Sequence, residues 1–368
     1  MNLSQEVSLM YKKLIALSAL GLAMSAQAQT NVIIYGTVDT GFVKETGSST
    51  RMDESAANLI GVRGSEELAN GIKATFQLER QFQLPDGTNK ETYSLDDSIS
   101  RALGNRGQTI DWTGAANVGL EGPWGWVRLG RVNEMSSEFF TELDPFLQAA
   151  TGSALAKYNL LRSEQLSNTV RYDSPEFAGF VVGLTYTLSA DDHKKPVGVN
   201  SDIYNAGFGG SLRYSNGPVS LMTNYNRQAD SNKSFVWNIG GAYTLGDWRF
   251  SAGYQGSQLK NLSSIPDLDL GVDTPINQKE WLLGVQYHIG QGTINASYNR
   301  ASVDKTAHDG DVNKYALGYT YDLSKRTQLY GMVSYTDSDN SFVGSIYNNN
   351  GAERESVTGV QVGITHSF

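Results

Sequence analysis

Basic side chains at Arg63, Lys73, Arg171, Arg213 and Arg249 share one parity with Asp39 and Glu79, in segments where apolar and polar residues alternate. Arg128 falls on the same parity and Arg131 on the opposite one. Successive side chains of a strand point to opposite faces, so these charges gather on the polar face of a sheet. Fixed ions on a wetted face act on dissolved charges through their field. Bond-making chemistry has no comparable support. A hydrolase needs a nucleophile beside a base. The chain has no Gly-x-Ser-x-Gly elbow, no cysteine, and four dispersed histidines. His193 and His308 fall in long connectors, His288 on the polar face near a short turn, and His366 on the apolar parity of the last strand. None has a partner at metal-ligand spacing. Asp191, Asp192, Asp267, Asp269 and Asp273 could hold a divalent cation, but acidic connectors of this kind read as solvated, and no cofactor is expected. A formal charge of -9 without a basic tract argues against nucleic acid as a partner.

The elements that carry these charges are strands with a different solvent on each face. Near the C-terminus, Val360, Val362, Ile364 and His366 alternate with Gln361, Gly363, Thr365 and Ser367, before the final Phe368. The same rhythm recurs through Val182, Leu184, Tyr186 and Leu188, through Trp237, Ile239, Gly241 and Tyr243, and through Tyr315, Leu317, Tyr319 and Tyr321. Gly, Ser, Asn, Thr and Gln occupy most of the other parity, which places lipid outside and water inside. Tyr and Trp collect at the ends of the apolar rows, as in an aromatic girdle. Short links such as Ser215-Asn216-Gly217, Leu245-Gly246-Asp247 and Gly290-Gln291-Gly292 alternate with long polar connectors near 83–113, 136–165, 190–202, 261–278 and 338–353. Sixteen strands can be counted, and that number of antiparallel strands closes around an aqueous lumen. The expected fold is therefore all-β, a 16-stranded antiparallel transmembrane β-barrel with short periplasmic turns and long external loops.

The N-terminal segment has Lys12 and Lys13, an apolar run from Leu14 to Met24, and Ala26-Gln27-Ala28. It reads as a secretory signal peptide over 1–28, since the run is well short of the roughly 20 residues a spanning helix needs. Residues 29–368 then form the barrel, exported through the periplasm to the cell outer membrane. On a barrel wall, Arg131 would face hydrocarbon at a cost of about 2–4 kcal/mol at mid-depth, so it must sit at the rim or turn inward at a bulge. A sugar-specific channel would carry a ladder of aromatics on the lumen parity. Tyr330 is an isolated case, so passive passage of ions and small hydrophilic solutes is favoured over a solute-specific channel, and both over an outer-membrane hydrolase.

Five blocks in order resemble the general trimeric porins of Gram-negative bacteria, in their betaproteobacterial and neisserial branch. They are Tyr35-Gly36-Thr37-Val38-Asp39; Gly61 to Gly71 followed by Lys73 to Glu79; Arg128-Leu129-Gly130-Arg131; Asn168 to Phe180, with Ser174-Pro175-Glu176-Phe177 the most specific part; and the terminal Phe368. The resemblance implies three barrels per assembly, contact with outer-membrane lipid and lipopolysaccharide, and a third external loop folded into each lumen. Here that loop is 136–165, with Glu138, Glu142 and Asp144 and a short helix expected near Ala149 to Leu161. These carboxylates would face a wall of Arg63, Arg128, Arg131 and Arg171 with Lys73 nearby, forming a pore constriction with a weak lean toward anions. Arg213 and Arg249 read as ordinary solvated lumen residues. The resemblance makes Phe368 the signal read by the outer-membrane assembly machinery, 83–113 a latch onto a neighbouring barrel, and the walls around Ile34, Gly36, Val38, Val360, Val362 and Ile364 the faces that meet.

Overall fold

The computed structural model describes residues 30–89, 111–146, 151–161, 164–188, 206–229, 233–260, 275–304, 309–348, 351 and 353–368. The signal segment, His193, His308, the acidic connector residues at 191, 192, 267, 269 and 273, and most of 83–113 lie outside them. One antiparallel sheet holds β1 (Thr30–Glu45), β2 (Arg51–Asp53), β3 (Leu59–Glu67), β4 (Lys73–Gln81), β5 (Ala116–Gly122), β6 (Gly125–Asn133), β7 (Gln165–Asp173), β8 (Phe180–Thr187) and β9 (Gly207–Asn216). It continues through β10 (Val219–Arg227), β11 (Phe235–Leu245), β12 (Trp248–Leu259), β13 (Ile276–Ile289), β14 (Gly292–Asp304), β15 (Gly310–Ser324), β16 (Thr327–Ser338) and β17 (Ser356–Ser367). Each strand pairs with its sequence neighbour, and β1 closes the ring. Its first half lies against β3, with Thr37 opposite Leu59, and its second half against β17, with Thr37 opposite Ser367. Closure satisfies the backbone hydrogen bonds that an open edge would leave bare in lipid. Sixteen strands span the wall. The addition is β2, a three-residue strand at the external end of β1, too short to show an alternation in sequence.

The two faces follow the parity. Val182, Leu184, Tyr186, Ile239, Leu283, Leu317, Val360 and Val362 point outward and are exposed on the isolated chain, whereas Asn226, Asn238, Gln255 and Gln361 face inward and are buried. The turns after β9, β11 and β13 are tight, with Gly217, Gly246 and Gly290 at φ between 55° and 61°, a region where a side chain is strained.

The segment between β6 and β7 folds into the interior and packs on part of the wall. It opens with α1 (Met135–Leu143) and later makes a 3-10 turn at Leu155–Tyr158. The helix expected near 149–161 is thus shortened to that single turn, in a stretch whose residues 147–150 are not described. The longer helix comes earlier, where the Glu134 side chain caps it by accepting from the Ser137 amide. Phe139, Phe140 and Leu143 of α1 pack on Met222, Ala242 and Leu282 of the wall. Small wall residues give the segment room. A Cβ at Gly284 would come within 2.6 Å of Pro145, and one at Gly318 within 2.8 Å of Phe146. The last connector also turns inward, as α2 (Ser341–Tyr347), and its Val343 and Tyr347 join Leu155 and Leu161 in one buried cluster.

Candidate functional site: a charged arc in the lumen

β6 and β7 run side by side with Arg128 opposite Arg171 and Trp126 opposite Asp173, so four lumen-facing side chains converge near the short-turn end of the wall. Asp173 is the hub. It accepts from Arg171 Nε at 2.9 Å and Nη2 at 3.2 Å, and from Arg128 Nη2. Arg213, on β9, stands 4.0 Å from the same carboxylate. The Arg128 guanidinium lies over the Trp126 ring at 3.8 Å, and the indole donates to Thr75 Oγ1 at 3.0 Å. From the inserted segment, Glu138 meets Arg171 in a two-pronged pair of 2.9 and 2.8 Å, and the Asn133 carbonyl accepts from Arg171 at 2.8 Å. This planar fork is the geometry in which arginine binds a carboxylate most strongly.

The remaining charges are spread more widely. Arg63, on β3, is exposed to the lumen above the Tyr35 ring at 4.9 Å. Glu142 is exposed on the inserted segment, and its carbonyl accepts from Arg249 at 3.0 Å. Asp144 is turned away from the arginines. Its side chain is buried, accepting from the Phe146 amide at 3.0 Å and the Ala154 amide at 2.7 Å, and so folds the segment on itself. Lys73 lies beside the β3–β4 turn, 3.2 Å from Glu67. Arg131 stands at the rim beside a register shift between Gly130 and Val132. It donates to the Thr113 carbonyl at 3.0 and 3.1 Å, to the Gly114 carbonyl at 3.0 Å, and to Ser167 Oγ at 2.9 Å.

The arc therefore joins Arg128, Arg171 and Glu138 and adds Asp173, Trp126 and Arg213, which reasoning from sequence had not assigned to it. Asp173 was legible, two residues from Arg171 on the same parity. Arg213 was not, because its nearness depends on how β7, β8 and β9 lie side by side. These groups line an open recess of about 470 Å³, with Glu121, Ser174 and Val181 completing its wall. The pairs differ in what they can do. Arg171 is 3% exposed and fully matched by carboxylates, whereas Arg213 is 44% exposed and acts on whatever passes. Among the described residues no group of three His, Cys, Asp or Glu side chains could hold a metal ion.

A closed sixteen-strand barrel, apolar without and polar within, with a folded segment and fixed charges in its lumen, is a transmembrane pore of the bacterial outer membrane. A family profile described as Gram-negative porin matches residues 14–341, and the chain belongs to that family. The chain is 29% identical to outer membrane porin protein 32 of Delftia acidovorans, over 98% of this chain and 100% of that one. It is 28% identical to the major outer membrane protein P.IB of Neisseria meningitidis, with the same coverage. Among solved structures, an anion-selective porin from Comamonas acidovorans superposes with a TM-score of 0.74 at 24% identity, covering 92% of this chain and all of that one. The protein is an outer-membrane porin, whose water-filled lumen passes ions and small hydrophilic solutes.

Proposed function

We propose that the channel is a general diffusion pore with a weak preference for anions, set where the inserted segment 136–165 faces the arginine arc. The observation that carries this is the imbalance of accessible charge. Arg63 and Arg213 are open to the lumen, while Asp173 and Glu138 are occupied by Arg128 and Arg171. Glu142 on the segment and Glu121 on the recess wall are exposed counter-charges, so the lean is small. Local field and not net charge governs such a preference, and near 0.1 M salt charges beyond about 10 Å are screened. The name of the Comamonas acidovorans structure points the same way. Of the expected site residues, Arg63 and Glu142 act on solutes in this reading, while Arg128, Arg171 and Glu138 are held in pairs with carboxylates and arginines. Arg131, Lys73 and Asp144 hold the rim, the turn and the segment.

Residues 1–28 serve as the cleaved export signal. Three barrels associate through the wall at the seam, where Ile34, Val360, Val362 and Ile364 are exposed and the Phe368 ring covers Gly36. Phe368 also exchanges backbone hydrogen bonds of 3.0 and 3.1 Å with Gly36, so the residue read by the assembly machinery is the one that seals the ring. The test is the zero-current potential of the wild-type channel in a planar bilayer across a tenfold KCl gradient. A small potential of anion-selective sign is expected, and a cation-selective one would overturn the reading.

A further inference from the structure

We infer that Tyr35 is a positioning residue for ion selectivity: it takes up Glu79 and so keeps the Arg63 guanidinium free to act on passing ions. The register of the sheet sets the arrangement. Tyr35 on β1 lies opposite Gly61 on β3, and Gly61 lies opposite Glu79 on β4, while Arg63 lies opposite Gln77. Directly opposed residues share a face, and their diagonal neighbours stand about 7–8 Å apart, within reach of long side chains. Arg63 and Glu79 are such a diagonal pair, both on the lumen face, and an arginine and a carboxylate so placed attract each other strongly. They do not pair. Among the described residues Arg63 has no carboxylate oxygen within 4.0 Å.

The Tyr35 side chain accounts for this. It crosses β3 at Gly61, where a Cβ would come within 2.5 Å of the ring. Its hydroxyl donates to Glu79 Oε1 at 2.7 Å, and the Gln77 amide donates to both that hydroxyl and the same carboxylate oxygen at 2.9 Å. The Ala115 amide donates to Glu79 Oε2 at 2.8 Å. Both oxygens of a buried carboxylate are thus met by neutral donors. The Arg63 guanidinium stands 4.9 Å from the centre of the Tyr35 ring, held by its π face and exposed to the lumen. In an ion pair the field of Arg63 would shrink to that of a short dipole, whereas apart from Glu79 it acts on a passing ion as a charge. The inference rests on the reading above, in which Arg63 contributes to the anion preference.

The test is a mutant cycle read as zero-current potentials in planar bilayers, with the folded porin across one KCl gradient. Tyr35→Leu should shift the potential toward cations and approach the shift of Arg63→Ser, because Arg63 can then reach Glu79. In a Glu79→Gln background the same leucine should leave the potential where Glu79→Gln alone sets it, since no carboxylate remains to capture the arginine. Tyr35→Phe, which keeps the ring over Gly61 and removes only the hydroxyl, should give a smaller shift with the same dependence on Glu79, and it decides the matter if the leucine variant does not assemble. A tyrosine that only packs the wall would produce equal shifts in the two backgrounds. That result, or no shift in either Tyr35 variant, would overturn the inference. Arg63→Ser separates it from the reading beneath it: an unmoved potential there removes Arg63 from selectivity altogether, whereas a shift there with none in Tyr35→Leu overturns only the positioning by Tyr35.

Discussion

The two halves of the inserted segment are built for different work. The first half, α1, buries Phe139, Phe140 and Leu143 against the wall but turns Glu138 and Glu142 toward water and the arginines. In the second half, the described residues 151–161 are all buried or half-buried. Lys314 on β15, itself buried, donates to the Ser153 carbonyl at 2.9 Å, and Gln228 donates to the Leu161 carbonyl at 2.8 Å. Asn159 donates to Glu280 at 2.8 Å, and Tyr347 from α2 donates to the same carboxylate at 3.0 Å. One half carries exposed charge and the other holds it in register. Solute handling and mechanical anchoring are thus separable along one segment of chain, which a uniformly solvated loop would not allow.

The largest expected effect comes from attacking the anchor. Asp144→Ala removes a buried acceptor from two backbone amides and a carboxylate near Lys314, a change of about 2–4 kcal/mol. The segment should become sensitive to protease in the assembled protein and single-channel current noisier, while the reversal potential stays nearly unchanged. A smaller loss, about 1–2 kcal/mol, is expected for Tyr347→Phe, which breaks the bond to Glu280 and leaves Gln278 without its 2.8 Å acceptor. Burial pushes the Tyr347 phenol well above its ordinary titration point near 10. The neutral hydroxyl therefore contributes fully below that pH, and its contribution fades above it, where the unfolded chain ionises while the folded phenol stays protonated. A thermal-stability scan from pH 7 to 11 should show the Tyr347→Phe difference constant at neutral pH and shrinking as the pH rises past about 10. Lys73→Ser should do least, within about 0.5 kcal/mol and with no change in selectivity, because its pair with Glu67 is exposed. A shift of the reversal potential in that variant would dissolve the distinction between the arc and the rest of the wall.

Much of this architecture could be read from the sequence because a barrel wall imposes a period of two at every strand. The alternation gave the outward rows, the sixteen spanning strands and the lumen positions of Arg63, Arg128 and Arg171. The awkward parity of Arg131 likewise pointed to the rim and bulge where it is found. What the period could not convey was proximity across strands without a shared pair, such as Arg213 reaching toward Asp173 over β8. Nor could it convey the inward turn of Asp144, since a connector has no parity. The two helices inside the mouth escaped notice for a related reason. They are short and draw their stability from the wall, so their own sequences carry little helical signal.

The central claim is that accessible charge in the first half of the segment and on the arc, and not the buried pairs, sets the ion preference. Reversal potentials in planar bilayers should therefore be compared for Arg63→Ser/Arg213→Ser and for Glu142→Gln, each alongside the unaltered channel across the same KCl gradient. The account expects the first to move toward cations and the second toward anions, with conductance changed less than twofold in both. Potentials that fail to move, or that move in the same direction in both variants, would contradict it.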